Sequence, residues 1–260
     1  MSTPFLAVEH IQEDGAQLLD AAERAGMQAQ VPSCPGWTIA DLVWHIGRVW
    51  DTWSYVVSER ITEADDLEPL RDRQQRPHDD FVLDWAAAAH TGLLSALRSA
   101  PPGTQVWTWT GSNQDVMWVR RRMAHETAVH RWDAEGTVGD DYEIPIAVAA
   151  DGIDEFLQWF SWSGGRSRPL PGTAHIHCTD TDRDVDTGSD DIAAAHGEWI
   201  IRRLDGNGIE MDHAHEKGDV AIRGRARDIL LWLWGRTDGD GVEFLGDKAI
   251  ADELVEGSKR

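Results

Sequence analysis

Cysteine is nearly absent. Cys34 and Cys178 are the two in 260 residues, far apart and outside any metal-type or redox spacing. That scarcity excludes a disulfide framework and a cysteine-based zinc site, and leaves both thiols free in a reducing compartment. Positive charge is also scarce: 24 Lys and Arg face 46 Asp and Glu, for a net charge of −22. Such a field repels phosphate backbones and anionic lipid surfaces, so neither nucleic acid nor a membrane is expected as a partner. No apolar run approaches the ~18 residues that mark a membrane span. The opening MSTPFLAVEH lacks the basic-then-apolar order of a secretory signal, and the cytoplasm is the expected location. Repeats and low-complexity runs are missing too. What remains is an ordinary soluble balance, 41% hydrophobic and 27% charged, able to fill one large core or two modest ones. Tryptophan stands out, with 14 residues; beyond the core, an indole-rich wall suits an apolar or sugar-like ligand.

The chain changes period along its length. Helical spacing runs through residues 5–29, and a VPSCPGW turn leads into TIADLVWHIGRVWDTWSYVV. There Thr38 and Asp41 have the spacing of a capping box. Residues 59–76 read as a polar connection, and HDDFVLDWAAAAHTGLLSALRSA as a third helix stopped by Pro101-Pro102-Gly103. QVWTWTGS reads as a short extended piece, 116–135 as a fourth helix, and a fifth opens at Pro145 and runs to about Trp162. SGGRSRPLPGT, residues 163–173, is the best linker. Beyond it AHIHCTD, EWIIRRL, GIEMDHA and DVAIRGR alternate with period two, followed by the helix ARDILLWLWGR, the strand VEFLGD and a short terminal helix. The expected class is α+β: a helical domain over 1–163, then a smaller α/β domain over 174–260.

The segment RRMAHETAVHRWDAE, residues 121–135, gathers histidines, acids and arginines in one predicted helix. Two readings compete, a solvated charged face and part of a metal site. His125 and His130 are five apart, about 140° around the helix, so they do not share a face. The string H-E-T-A-V-H thus has one residue too many for the zinc-protease pattern. Glu126 and His130, four apart, stack on one face and form a chelating pair. A pair is an incomplete site, because catalytic zinc usually takes three protein ligands. His45 is the candidate third ligand, since it lies on the apolar stripe of the second helix between Leu42 and Val49. Its bland alternative is a satisfied core histidine. Helical bundles build metal sites from inward carboxylates and histidines on facing helices, which favours the set of three. Asp133 reads first as a surface partner of an arginine and second as a group orienting His130. The arginines divide between solvent and the mouth of the site. His90 reads as packing. His175 and His177 share one face of a strand with Cys178 opposite, and His213 and His215 read as solvated turn residues.

With those segments in hand, VPSCPGWTIADLVWHIGRVW, HETAVHRWDAE, ADGIDEFL and IRGRARDILLWLWGR resemble the signature segments of the mycothiol-dependent maleylpyruvate isomerase family of actinobacteria. The resemblance covers nearly the whole chain. It implies a DinB-like four-helix bundle joined to a small sterol-carrier-like α/β domain. It also implies a zinc site on His45, Glu126 and His130, and a catalytic arginine in the second domain. Arg236 is the best match for that arginine and Arg225 the second; Arg236 also reads as a helix C-terminal cation.

The expected function is that of a metal-dependent, mycothiol-using isomerase or S-transferase, acting through a metal-bound thiolate on a small electrophilic substrate, carboxylate-bearing ones among the candidates. Two alternatives stand beside it, a metal hydrolase on the same site and a non-catalytic small-ligand module. The expected cofactors are a divalent metal, zinc first, and mycothiol as cosubstrate. A monomer or weak homodimer is expected.

Overall fold

A computed structural model describes residues 4–160, 170–181, 197–203 and 209–256. It forms two compact units, Thr3–Tyr142 and the stretch from Glu143 onward. The division lies ahead of the expected 163–173 linker, of which 163–169 fall outside the described residues.

In the first unit α1 (Pro4–Ala25) leads to the PGW turn and α2 (Ile39–Ser58). Thr38 opens α2 with the expected capping box. Its Oγ1 accepts from the Asp41 amide at 3.3 Å, and the Asp41 carboxylate accepts from the Thr38 amide at 2.9 Å. Arg76 donates to the other Asp41 oxygen at 2.6 Å, tying the end of the following connection to the helix start. That connection is not structureless. It contains a 3₁₀ turn at Ala64–Leu67 and a short helix, α3 (Pro69–Arg73), whose first position is a proline with φ already suited to a helix. The expected extended piece at 105–112 is reduced to one isolated bridge, Gln105 with Asp115. There Thr110 Oγ1 accepts from the Ser112 and Asn113 amides, and a side-chain-stabilised turn replaces a strand ladder.

α4 (Asp79–Ser99) and α5 (Val116–Thr137) complete the bundle. α2 packs on α4 and α1 on α5, with further contacts of α1 with α4, of α2 with α5 and, least, of α1 with α2. Two glycines permit the closest approaches. A methyl at Gly47 would lie 2.5 Å from the Trp85 ring, and one at Gly15 would lie 2.2 Å from His90. His90 is held there by the Ile11 carbonyl at 2.8 Å, the packing role expected of it. The buried bond from Trp50 Nε1 to Thr127 Oγ1, 3.1 Å, fastens α2 to α5.

The second unit begins with α6 (Ile146–Glu155), continued by a π-helical turn at Phe156–Phe160. The five described strands are β1 (Ala174–Cys178), β2 (Glu198–Arg203), β3 (Ile209–Asp212), β4 (Val220–Gly224) and β5 (Val242–Gly246), in sheet order β3-β2-β1-β4-β5. β1 and β4 run parallel, and the other pairs are antiparallel. Ala174, Ile176, Trp199, Ile201, Val220 and Ile222 share one buried face. α7 (Ala226–Leu233) and α8 (Lys248–Glu256) pack against β4, and Trp199 donates to Asp154 of α6 at 3.1 Å. This is the α+β arrangement expected.

The capping box gives a direct test. Thr38→Ala and Asp41→Asn should each destabilise the protein by about 1 kcal/mol in urea unfolding at neutral pH. The Thr38 amide, then Arg76, hold the Asp41 carboxyl below its ordinary 3.8. A carboxyl with a depressed folded pKa contributes stability above its unfolded value and loses it as pH falls through the folded one. The wild-type advantage over Asp41→Asn should therefore be full at neutral pH and shrink below pH 3.8. A deficit equal at all pH values would contradict the assignment.

Candidate functional site

The packing of α2 on α5 decides where the predicted ligands meet. His45 comes from α2, Glu126 and His130 from successive turns of α5, and their ligand atoms lie within 4.8 Å of one another. The Nε2 atoms of both histidines point at the same carboxylate oxygen, each 3.4 Å from Glu126 Oε1. That spacing is long for an N–H···O bond. It matches the ligand–ligand separation of about 3.4 Å on a tetrahedral ion with bonds near 2.1 Å. The two imidazoles stand edge to face, with centroids 4.9 Å apart. The site is closed on the α5 side, where the His130 side chain is 3% exposed, and open on the α2 side, where that of His45 is 37% exposed.

The surroundings orient these groups. His130 Nδ1 lies 2.8 Å from Asp133 Oδ2, and Ser33 Oγ donates to Asp133 Oδ1 at 2.5 Å. A carboxylate only accepts, so His130 Nδ1 donates to Asp133, which turns Nε2 toward Glu126 and His45. The surface role expected first for Asp133 is therefore overturned. It is fully buried, because its position on α5 turns it toward the PGW turn. Arg122, one turn before Glu126, pairs with Glu126 Oε2 and leaves Oε1 to the two histidines.

The VPSCPGW turn has a physical reading that sequence alone did not supply. Ser33 holds Asp133, Gly36 adopts φ +84, and Trp37 covers His45 with ring centroids 5.2 Å apart. Left-handed backbone of this kind favours glycine. The signal was present as a motif, but its partners lie about a hundred residues away.

The remaining polar residues of α5 are not a solvated face. His125 is 2% exposed and stands outside the cluster, as its helical phase required. Arg131 bonds Asp14 at 3.0 Å and Glu135 at 2.7 Å, and lies 3.7 Å over the Tyr142 ring. Burial pushes the Asp14 carboxyl and the Tyr142 hydroxyl above their ordinary values. Arg120 caps α4 through the Leu97 and Ala100 carbonyls at 2.5 and 3.0 Å. The expected division of the arginines between solvent and a site mouth thus gives way to internal ion pairs and caps.

The two arginines predicted to be catalytic belong to the second unit. Arg225 is the N-cap residue of α7; it pairs with Glu143 and lies 3.8 Å from Asp180. Arg236 follows the end of α7, donates to the Trp234 carbonyl at 2.9 Å and lies 5.9 Å from that indole centroid. Its position just past the helix suits the dipole role as well.

Residues 8–135 match the family model described as the mycothiol maleylpyruvate isomerase N-terminal domain, and residues 147–253 the one described as the MDMPI C-terminal domain. Among solved structures, the crystal structure of the mycothiol-dependent maleylpyruvate isomerase is similar, with 13% identity and a TM-score of 0.59 over 93% of this chain and 92% of that one. A histidine-to-alanine mutant of that isomerase is similar too, at 12% identity and a TM-score of 0.60, with the same coverage. At such identities the likeness is one of fold. No curated protein matches the chain.

The Asp133 bond predicts a tautomer. Nitrogen-15 correlation spectra of the metal-free protein should place the His130 proton on Nδ1, and Asp133→Asn should give a mixture of tautomers. That variant should also lose about 1–3 kcal/mol of stability through its disturbed buried bonds. A wild-type proton on Nε2 would contradict the assignment.

Proposed function

The chain belongs to the mycothiol maleylpyruvate isomerase family, and from that premise we propose a metal-dependent enzyme that uses mycothiol on a small electrophilic substrate. The reading rests on one observation, the convergence of two imidazole nitrogens and a carboxylate oxygen from facing helices within 4.8 Å. The donor set fits the ion. Two imidazoles and one carboxylate are borderline ligands suited to zinc, and three protein ligands leave a position open. When bound by His45, Glu126 and His130, zinc supplies a Lewis acid that lowers the pKa of an incoming thiol toward neutrality.

The chain's own residues account for the rest. Asp133 holds the His130 proton on Nδ1, and Arg122 occupies the carboxylate oxygen that the ligand set does not use. Both cysteines are buried, and burial raises the Cys178 thiol pKa, so that thiol stays protonated. The nucleophile accordingly comes from outside, which supports a thiol cosubstrate. Addition of that sulfur to the β-carbon of an activated cis double bond forms a C–S bond and moves the π electrons onto the conjugated carbonyl as an enolate. The former double bond then rotates. Re-forming it expels the thiolate and gives the trans isomer, whereas protonating the enolate with the proton the thiol gave up yields the S-transfer adduct. We assign Arg236 first and Arg225 second to neutralise a substrate carboxylate or the enolate.

The test is turnover of cis-unsaturated keto acids, maleylpyruvate among them, with mycothiol, with other thiols and with no thiol. Expected is thiol-dependent isomerisation or adduct formation, lowered by at least about 100-fold in His45→Ala and Glu126→Gln, with near-wild-type circular dichroism. Hydrolytic cleavage products formed equally without thiol would replace this reading with a hydrolase. Activity unaffected by both variants would overturn the site.

A further inference from the structure

The sheet carries a second convergence of imidazoles, on the face opposite Ile176 and Trp199. His175 and His177 project from β1 on that face, and the antiparallel register sets Glu198, the first residue of β2, directly across from His177. The stretch after β3 then brings in His215, so Glu198 is met by three histidines from two stretches of the chain. His177 Nδ1 lies 2.9 Å from Glu198 Oε1, His215 Nδ1 2.5 Å from Oε2, and His175 Nε2 3.6 Å from Oε2. The four ligand atoms lie within 4.8 Å of one another, the same compactness as in the bundle site.

Three imidazoles crowd one buried carboxylate, with a ring nitrogen of each turned toward its two oxygens. Such a compact set of nitrogen and oxygen donors is the environment that a divalent cation satisfies. His215 is exposed, as its solvated reading expected; the strand register and the return after β3, both long-range features, bring it to Glu198 and the two strand histidines. Cys178 points to the opposite face, so the site needs no sulfur.

We propose that His175, His177, Glu198 and His215 form a second metal site, taking a divalent transition-metal ion of zinc type. Its donor set of three imidazoles and one carboxylate fills a tetrahedral shell, so the ion has a structural role and ties β1 and β2 to the segment that follows β3. His175 and Glu198 are buried, whereas the His215 side chain is 71% exposed. His215 is therefore the ligand that closes over an ion arriving from solvent. The assignment is independent of the bundle site, because all four residues belong to the second unit.

The experiment is zinc stoichiometry on the full, tag-free chain by native mass spectrometry after exposure to a small zinc excess and desalting. Four forms are compared: wild type, His45→Ala/His130→Ala, His177→Ala/His215→Ala, and the fourfold variant. Expected are about two, one, one and no ions per chain. In His45→Ala/His130→Ala, zinc should also slow amide exchange across 209–217, and the exposed single variant His215→Ala should lower zinc affinity at least about tenfold without unfolding the sheet. Retention of no zinc by His45→Ala/His130→Ala, with native circular dichroism, would overturn the second site alone. One ion in wild type that survives loss of His45 and His130 but not of His177 and His215 would support it and sink the bundle site. Zinc bound equally by all four forms, without exchange protection, would mean surface histidine binding and overturn the proposal.

Discussion

Glu126 is a carboxylate held between helices, and much of the bundle's polar interior is arranged around it. Removing a charge from water costs several kcal/mol unless partners replace the lost hydration. Here Arg122 takes one oxygen, while His45 and His130 face the other. Those partners require α2 to sit against α5 in one register, which the Trp50 to Thr127 bond fixes beside the site. His130 requires its own support, supplied through Asp133 and Ser33 from the PGW turn. A chain of oriented groups thus runs from a surface turn to the buried carboxylate, and each link removes one freedom from the next.

The parts of this arrangement that are local were legible. The Thr38 capping box, the shared face of Glu126 and His130 and the exclusion of His125 follow from helical spacing within a few residues. His45 was reached by its place on an apolar stripe, and family resemblance pointed to the same residue. What escaped was set by contacts across long sequence gaps. Asp133 on α5 looked like a surface acid because its partner Ser33 lies a hundred residues earlier in a turn. The buried Arg120 and Arg122 sit in a run of three arginines that reads as exposed charge, whereas α5 buries polar and apolar groups on several sides.

The second unit repeats the lesson in a sheet. Alternation over AHIHC placed the histidines on one face and Cys178 on the other, and the strands were found where their period-two pattern ran. Register was not available from alternation, and register is what sets Glu198 opposite His177. The short helix at Pro69–Arg73 was missed for a different reason: one turn of helix amid charges has too few apolar positions to show a period. The two candidate metal sites also suit different duties. Three ligands with one partly exposed histidine leave room for a reactant, whereas four ligands on a sheet leave none.

Whether His45, Glu126 and His130 hold one metal ion across two helices is tested by zinc K-edge X-ray absorption on the full chain carrying His177→Ala and His215→Ala, loaded to one ion. Scattering from about two imidazoles and a carboxylate oxygen near 2.0–2.1 Å is expected, with the imidazole signal lost in a chain that also carries His45→Ala and His130→Ala. A zinc spectrum with no imidazole scattering, or one unchanged by those two substitutions, would contradict this ligand set.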